Sequence, residues 1–149
     1  MAVLLDTNVL VRLANVADPK YPIADKAVFQ LHRRGEMLHI TPQNLIEFRN
    51  VATRPKAANG LELASPDAEA KAAEFEALFP LLAETKDIFP AWKALVAFAG
   101  VIGKQVHDAR LAAVCQVHGV NQLLTFNTAH FALLATFAPG IVVVDPASV

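Results

Sequence analysis

The chain opens with a short apolar run that ends in a carboxylate and leads directly into a helical pattern. Residues 2–5 are apolar and long enough for a buried strand, and Asp6 follows them at once. The spacing of Val9, Leu10 and Leu13 then predicts a helix. A strand that leads straight into a helix begins a βαβ unit, and open parallel sheets bind ligands at the carboxyl ends of their strands. This opening therefore predicts an α/β fold with Asp6 at the functional edge of the sheet.

The rest of the chain alternates apolar segments of strand length with segments of helical spacing. Strands are predicted over 37–40, 121–126 and 141–144, and helices over 23–34, 42–53, 105–118, from 65 onward and around 92–99. A loop or disordered flap is predicted for 55–64. Strands separated by helices indicate a parallel sheet with helices on both faces. We expect a single domain over 1–149, since this length suits one compact core.

Composition restricts the class of protein. Apolar residues make up 54% of the chain, but no uninterrupted apolar stretch approaches the ~18 residues of a membrane span. Asp6 and Arg12 interrupt what would otherwise resemble a signal-peptide core. Cys115 is the only cysteine, which excludes an internal disulfide and a cysteine-based zinc site. We therefore expect a soluble cytoplasmic protein with no membrane partner.

Three further polar residues are predicted to share the sheet edge with Asp6. Glu47 lies in the helix that follows the second strand, Asp108 lies in the first turn of a later helix, and Asn127 follows the third strand. Each also has an ordinary alternative. Glu47 suits an exposed helix position, Asp108 suits the positive end of a helix dipole, and Asn127 suits a helix cap.

Several carboxylates at one sheet edge indicate a bound cation. Without basic partners they repel each other, so that one is protonated or a metal ion is bound. Oxygen-only ligands favour Mg²⁺ or Mn²⁺ over zinc. Such an ion suits phosphodiester hydrolysis, because it lowers the pKa of a bound water and neutralises developing charge. His107, beside Asp108, is a weaker candidate for a ligand or base.

These segments resemble the motifs of PIN-domain proteins and, more narrowly, of the VapC toxins of bacterial type II toxin–antitoxin pairs. The similar segments are 4–10 around Asp6, a Thr-Pro-x-x-x-x-Glu pattern that ends at Glu47, 103–110 around Asp108 and 125–131 around Asn127. The resemblance covers the whole chain with the motifs in order. It implies a three-layer α/β/α sandwich with a central parallel sheet of about five strands. It also implies a Mg²⁺-dependent endoribonuclease in which Mn²⁺ substitutes for Mg²⁺.

The resemblance also implies roles for the four polar residues. Asp6 and Asp108 are expected to ligate Mg²⁺, and Glu47 to ligate the ion or hold its water shell. Asn127 stands where many members have aspartate, and it is expected to position a water or the phosphate. The expected reaction is in-line attack by a metal-activated water, which leaves a 5′-phosphate and a 3′-hydroxyl.

RNA is the expected substrate, lying across the carboxyl edge of the sheet. Candidate phosphate contacts are the four arginines nearest the motifs, Arg12, Arg49, Arg54 and Arg110. Arginines on helix surfaces are often only solvated, which is the alternative interpretation for each of these four.

The expected protein partners are a second copy of the chain and a small VapB-like antitoxin. High apolar content, with Phe75, Phe79, Trp92 and Phe98 on predicted helices, suggests more bulk than one small core hides. The resemblance implies pairing of VapC-like proteins through helices and an antitoxin tail that fills the groove leading to the acids.

Two other functions are alternatives to the nuclease. A catalytically weak PIN fold that acts as an RNA-binding or partner-binding scaffold is the alternative, although Glu47 and Asp108 are both acids here. A phosphatase of the haloacid dehalogenase type needs a second aspartate two residues after Asp6, and Asn8 stands at that position.

Overall fold

The computed structural model describes residues 1–149 and contains a four-stranded parallel sheet between helices. Its strands are β1 (Ala2–Leu5), β2 (Met37–His39), β3 (Gln122–Leu124) and β4 (Val142–Val144), in the spatial order β2-β1-β3-β4. Every neighbouring pair is parallel. An isolated parallel bridge joins Ile40, directly after β2, to Leu81. The predicted fold class, a parallel sheet of about five strands between helices, is confirmed.

Seven α-helices connect and cover these strands. They are α1 (Thr7–Leu13), α2 (Tyr21–Arg33), α3 (Pro42–Thr53), α4 (Ser65–Leu78), α5 (Ile88–Ala99), α6 (Gln105–His118) and α7 (Thr128–Phe137). The helices predicted over 42–53 and 105–118 have those bounds. None of the seven combines the length and apolar character that crossing a membrane requires.

The central strand β1 divides the core into two layers. Val3 and Leu5 point into one apolar cluster, which α1 to α4 cover, whereas Leu4 points into a second cluster covered by α5 to α7. All three side chains are fully buried. Successive side chains of a strand face opposite sides of the sheet, so a strand buried on both faces is continuously apolar. The sheet therefore lies between two helical layers. Because β1 is an inner strand, its carboxyl end lies near the middle of the sheet edge.

The core accommodates two of the four aromatic residues expected at an interface. Phe75 and Phe79 are buried, and the ring of Phe75 packs edge-on against Phe48 at 5.2 Å between centroids. These two residues therefore belong to the core and not to an interface, whereas Trp92 is partly buried. Leu78, the last residue of α4, is exposed. Phe98 on α5 is 78% exposed.

Residues 55–64, predicted as a loop or flap, form a loop that folds back onto the end of α3. The amides of Leu61 and Leu63 donate to the carbonyls of Val51 and Ala52 at 3.1 and 2.8 Å. Gly60 is required here, since a Cβ atom would lie 2.0 Å from the carbonyl oxygen of Arg54. The loop thereby forms a fixed wall at the carboxyl edge of the sheet.

Candidate active site

A groove of about 940 Å³ runs along the carboxyl edge of the sheet. Asp6, Glu47, Asp108 and Asn127 all line it, so the structure brings together the four residues that the sequence singles out. Parallel strands end at the same edge, which explains why residues that follow β1 and β3 meet here. The loop wall around Gly60 forms part of the same groove.

Asp6 is the most deeply buried of these side chains, with 4% of its surface exposed. Its Oδ1 accepts a 2.7 Å hydrogen bond from the Thr7 amide and caps α1, and its Oδ2 accepts one of 2.7 Å from Thr125 Oγ1. Burial raises the pKa of Asp6 to about 7; the Thr125 hydrogen bond opposes this shift and the nearby charge of Asp108 adds to it. No ion pair includes Asp6, so nothing in the chain neutralises its charge.

Glu47 is held in one orientation from both sides. Thr41 and Asn44 form a reciprocal capping box that fixes the start of α3, and Glu47 projects from the second turn of that helix. Its Oε2 accepts a 2.7 Å hydrogen bond from Thr7 Oγ1, and its Oε1 accepts one of 2.8 Å from Gln43 Nε2. The sequence alone gives no role to Thr7, because its partner Glu47 lies on another element. Gln43 is also missing from the predicted residues, although its position one helical turn before Glu47 is a signal for this contact.

Asp108 lies in the first turn of α6, with 24% of its side chain exposed. Burial raises its pKa, Glu47 adds to the shift, and the neighbouring cationic form of His130 opposes it. His130 Nδ1 lies 3.7 Å from Asp108 Oδ2 and also lines the groove. His130 is not among the site residues predicted from the sequence, although it stands three residues after Asn127 and hence about one helical turn along. His107 is exposed and lines the groove.

Asn127 occupies the cap position of α7, but its side chain makes no capping hydrogen bond. Its backbone groups are engaged instead: the amide donates to Thr125 Oγ1 at 2.9 Å, and the carbonyl accepts from the Phe131 amide at 3.4 Å. The side chain is exposed on the groove wall, where its amide is available to a ligand or a water. A helix cap therefore does not account for this residue.

The acidic side chains share the groove without forming a closed set of metal ligands. No group of three or more His, Cys, Asp or Glu side chains is arranged to hold a metal ion by itself. Mg²⁺ commonly takes only one or two protein carboxylates and keeps several waters. An uncompensated buried carboxylate beside a second, half-buried one fits such an ion, so the donor set is compatible with magnesium.

The four candidate phosphate contacts divide into two pairs. Arg12 and Arg54 line the groove, and so does Lys104, which is not among the residues predicted from the sequence. Arg12 forms an ion pair of 2.6 Å with Asp18, which also lines the groove. Arg49 forms an ion pair with Glu69, and Arg110 forms one of 2.6 Å with Glu84. Neither Arg49 nor Arg110 lines the groove, since their partners hold them elsewhere.

Comparison with solved structures shows the same architecture. VapBC2 from Rickettsia felis bound to a DNA fragment from its promoter matches with a TM-score of 0.69 at 17% identity, covering 97% of this chain and 98% of that one. VapBC-1 from nontypeable Haemophilus influenzae gives 0.66 at 18% identity, covering 98% of both chains. VapC20 of Mycobacterium tuberculosis, a sarcin-ricin loop cleaving toxin, gives 0.63 at 19% identity, covering 87% of this chain and 93% of that one.

At the level of sequence, no curated protein matches the chain significantly. The family model described as the PIN domain matches residues 3–135, which include every residue of the groove described above. The similarity therefore extends over most of the chain and contains its acidic site. The chain belongs to the PIN domain family.

Proposed function

We propose that this protein is a VapC-like, Mg²⁺-dependent endoribonuclease whose single domain spans residues 1–149. The observation that carries the proposal is the buried carboxylate of Asp6, which has no cationic partner and shares a groove with Asp108 and Glu47. A buried, unpaired charge is costly, and a divalent cation would remove that cost. Membership of the PIN domain family supports the same conclusion.

Asp6 and Asp108 would hold the magnesium ion, with Glu47 orienting its water shell. Both oxygens of Glu47 already accept hydrogen bonds, which favours a role in fixing waters over direct ligation. When bound, the ion would supply a water of lowered pKa and neutralise charge on the phosphate. The side chain of Asn127 would hold a water or a phosphate oxygen through its free amide.

The proposed substrate is RNA, bound through its phosphates along the groove. Arg54 and Lys104 line the groove together with the acids and provide positive charge for the phosphates next to the cleaved one. Arg12 also lines the groove, and it would contact a phosphate in place of or together with its present partner Asp18. The structural likeness to a sarcin-ricin loop cleaving toxin supports RNA as the substrate class. The products would carry a 5′-phosphate and a 3′-hydroxyl.

The proposed protein partners are a second copy of the chain and a small antitoxin. Phe89, Phe98 and Ile102 leave apolar surface at and beyond α5 that is 64%, 78% and 78% exposed, which is typical of an interaction surface. The structural likeness to VapBC proteins supports the antitoxin. A cation from its tail would compete with Mg²⁺ for the charge of Asp6 and Asp108 and so inhibit cleavage.

A scaffold without catalysis is the weaker alternative. A metal site needs a carboxylate that has no cationic partner in the chain, whereas a scaffold has no use for one. The presence of Asp6, Glu47 and Asp108 on one groove therefore favours the enzyme.

The test is cleavage of a mixed RNA pool by purified protein with Mg²⁺, with Mn²⁺ and with EDTA. We expect cleavage with either metal, none with EDTA, and 5′-phosphates on the products. Asp108→Asn keeps the shape of the groove and should be inactive. Metal-independent cleavage that persists in Asp108→Asn would indicate a contaminating nuclease, and stoichiometric RNA binding without cleavage would favour the scaffold.

A further inference from the structure

Gln43 links the helix that carries Glu47 to the helix that carries Asp108. Its Nε2 donates to Glu47 Oε1 and to the backbone carbonyl of His107, both at 2.8 Å. Its Oε1 accepts a 3.2 Å hydrogen bond from Arg110 Nη1. Gln43 is only 8% exposed, so these contacts replace water rather than compete with it.

The orientation of the Gln43 amide is set by this network. Both hydrogens of its amide nitrogen face acceptors, and its oxygen faces a guanidinium. A flipped amide would set its oxygen against the carboxylate of Glu47 and the carbonyl of His107, and its nitrogen against a cation. Arg110 is itself held by two hydrogen bonds to Glu84, at 2.6 and 3.2 Å.

All side-chain hydrogen bonds between α3 and α6 pass through Gln43. Glu47 and Asp108 lie on elements that adjoin different strands of the sheet, and Gln43 is the side chain that connects these elements by hydrogen bonds. Neither Gln43 nor Arg110 lines the groove. Contact with substrate therefore does not account for their arrangement.

We propose that Gln43 is a positioning residue that fixes the Glu47 carboxylate relative to the turn carrying Asp108, and that Arg110 serves by orienting the Gln43 amide. This inference rests on the proposed metal-dependent function, because it assigns Glu47 to the water shell of an ion. It also gives Arg110 a role different from the phosphate contact suggested by the sequence. Residues that orient metal-site groups typically contribute about 10- to 100-fold to metal affinity or activity.

The first test replaces Gln43 with leucine, which keeps similar bulk and removes the amide. We expect Gln43→Leu to weaken Mn²⁺ binding, measured by calorimetry, by about 10-fold and to lower kcat for an RNA oligonucleotide similarly, with KM unchanged. The control is Gln116→Leu, an exposed glutamine near the far end of α6. A Gln43→Leu variant that folds and equals wild type in Mn²⁺ affinity and kcat would overturn the proposal.

The second test separates the two roles of Arg110. As an orienting residue, Arg110→Met should lower kcat and Mn²⁺ affinity and leave KM and its salt dependence unchanged. If Arg110 is instead a phosphate contact, Arg110→Met should raise KM. It should also reduce the slope of log RNA affinity against log salt concentration by about one. Arg34→Met, at an exposed arginine directly after α2, is the matched control. A rise in KM alone would overturn the orienting role.

Two further measurements keep the proposal independent of folding and of ribonuclease activity. The side-chain amide resonances of Gln43 in ¹⁵N-labelled protein should shift in Arg110→Met and stay in place in Arg34→Met; unshifted resonances count against the link. The effects of Gln43→Leu and Arg110→Met should not add in the double variant if both act through one link, whereas full additivity contradicts it. If wild-type protein binds Mn²⁺ but cleaves no RNA, the proposed ribonuclease fails while the Mn²⁺ affinities still decide the role of Gln43.

Discussion

The hydroxyl group of Thr125 donates a 2.7 Å hydrogen bond to Oδ2 of Asp6. The same hydroxyl oxygen accepts hydrogen bonds from the Asn127 amide at 2.9 Å and from Asn8 Nδ2 at 3.2 Å. Its two lone pairs are therefore occupied, and its single hydrogen is directed at the carboxylate. A hydrogen bond donated to a carboxylate favours its charged form, so Thr125 partly offsets the burial that raises the pKa of Asp6.

Replacing Thr125 with valine should therefore raise the pKa of Asp6 above about 7 and weaken Mn²⁺ binding at neutral pH. The difference in Mn²⁺ affinity between Thr125→Val and wild type should shrink at pH 8.5, where Asp6 is ionised in both proteins. Calorimetric titration at the two pH values measures this, and Thr125→Ser should behave like wild type because it keeps the hydroxyl. Equal affinity of Thr125→Val and wild type at pH 7 would show that the hydrogen bond does not support the charge.

The stability of the metal-free protein should fall as the pH rises from about 4 to about 7. The pKa of Asp6 is about 7 in the folded protein against an ordinary value of 3.8, so in this range the folded state binds more protons than the unfolded state. The contribution of Asp6 to the free energy of unfolding is fully present below pH 4 and is lost as the pH rises through about 7. Asp108, whose pKa is also raised, acts in the same direction.

Thermal unfolding in EDTA across this pH range tests the linkage. We expect the Tm of wild type to fall by about 5 to 10 °C more than that of Asp6→Asn, which cannot titrate at this position. Mg²⁺ should restore stability mainly at the upper end of the range, where it binds the ionised site. Parallel Tm curves for the two proteins without metal would contradict the raised pKa.

Asp6→Ala and Asp108→Ala should each abolish RNA cleavage, and Asp108→Ala should leave the metal-free fold as stable as wild type or more so. In Asp6→Ala the loss of the α1 cap, about 1 kcal/mol, offsets the relief of repulsion. Each change removes one member of a mutually repelling set, and a metal ion contributes several kcal/mol to such reactions, so we expect a loss of at least about 100-fold. Cleavage rates with Mg²⁺ and Tm values with EDTA measure the two effects. Glu76→Ala, an exposed acid of α4, is the control. Wild-type rates in either aspartate variant would refute the site.

Local signals predict the elements that build the site. Asp6 ends an apolar strand, Thr41 caps α3, and Gly119 ends α6 in the left-handed conformation at a φ of 66°. Each signal lies within a few residues of the boundary it sets, which is why the bounds of α3 and α6 follow from the sequence.

Long-range pairing, by contrast, is not visible in the sequence. Nothing in the neighbouring sequence separates the four candidate arginines. Only Arg12 and Arg54 line the groove, whereas Arg49 and Arg110 lie outside it. The acidic partners of Arg49 and Arg110 are Glu69 and Glu84, on distant segments outside the groove. The partner of Arg12 is Asp18, which lies six positions along the chain and itself lines the groove. The burial of Phe75 and Phe79 is likewise decided by packing against elements far along the chain.

Asn127→Asp should tighten Mn²⁺ binding and raise the cleavage rate. The side chain lines the groove without an internal hydrogen bond, so a carboxylate there adds a negative charge toward the ion. Each additional anionic ligand generally strengthens binding of a hard cation, and we expect a gain of about 10-fold in calorimetric titrations. Asn121→Asp, which lies outside the groove, controls for net charge. Unchanged or weaker affinity would exclude Asn127 from the metal site.

The protein should be a dimer at micromolar concentration, with the exposed apolar surface of α5 in the interface. Phe98 is 78% exposed near the end of α5, and Ile102, just beyond the helix, is equally exposed. Burying an aromatic side chain contributes about 1.5–3 kcal/mol, and a charge in its place would be desolvated without a partner. Phe98→Asp should therefore yield a monomer in light scattering, whereas Val16→Asp, an equally exposed change after α1, should remain dimeric. A monomeric wild type would refute the dimer, and a dimeric Phe98→Asp would place the interface on another face.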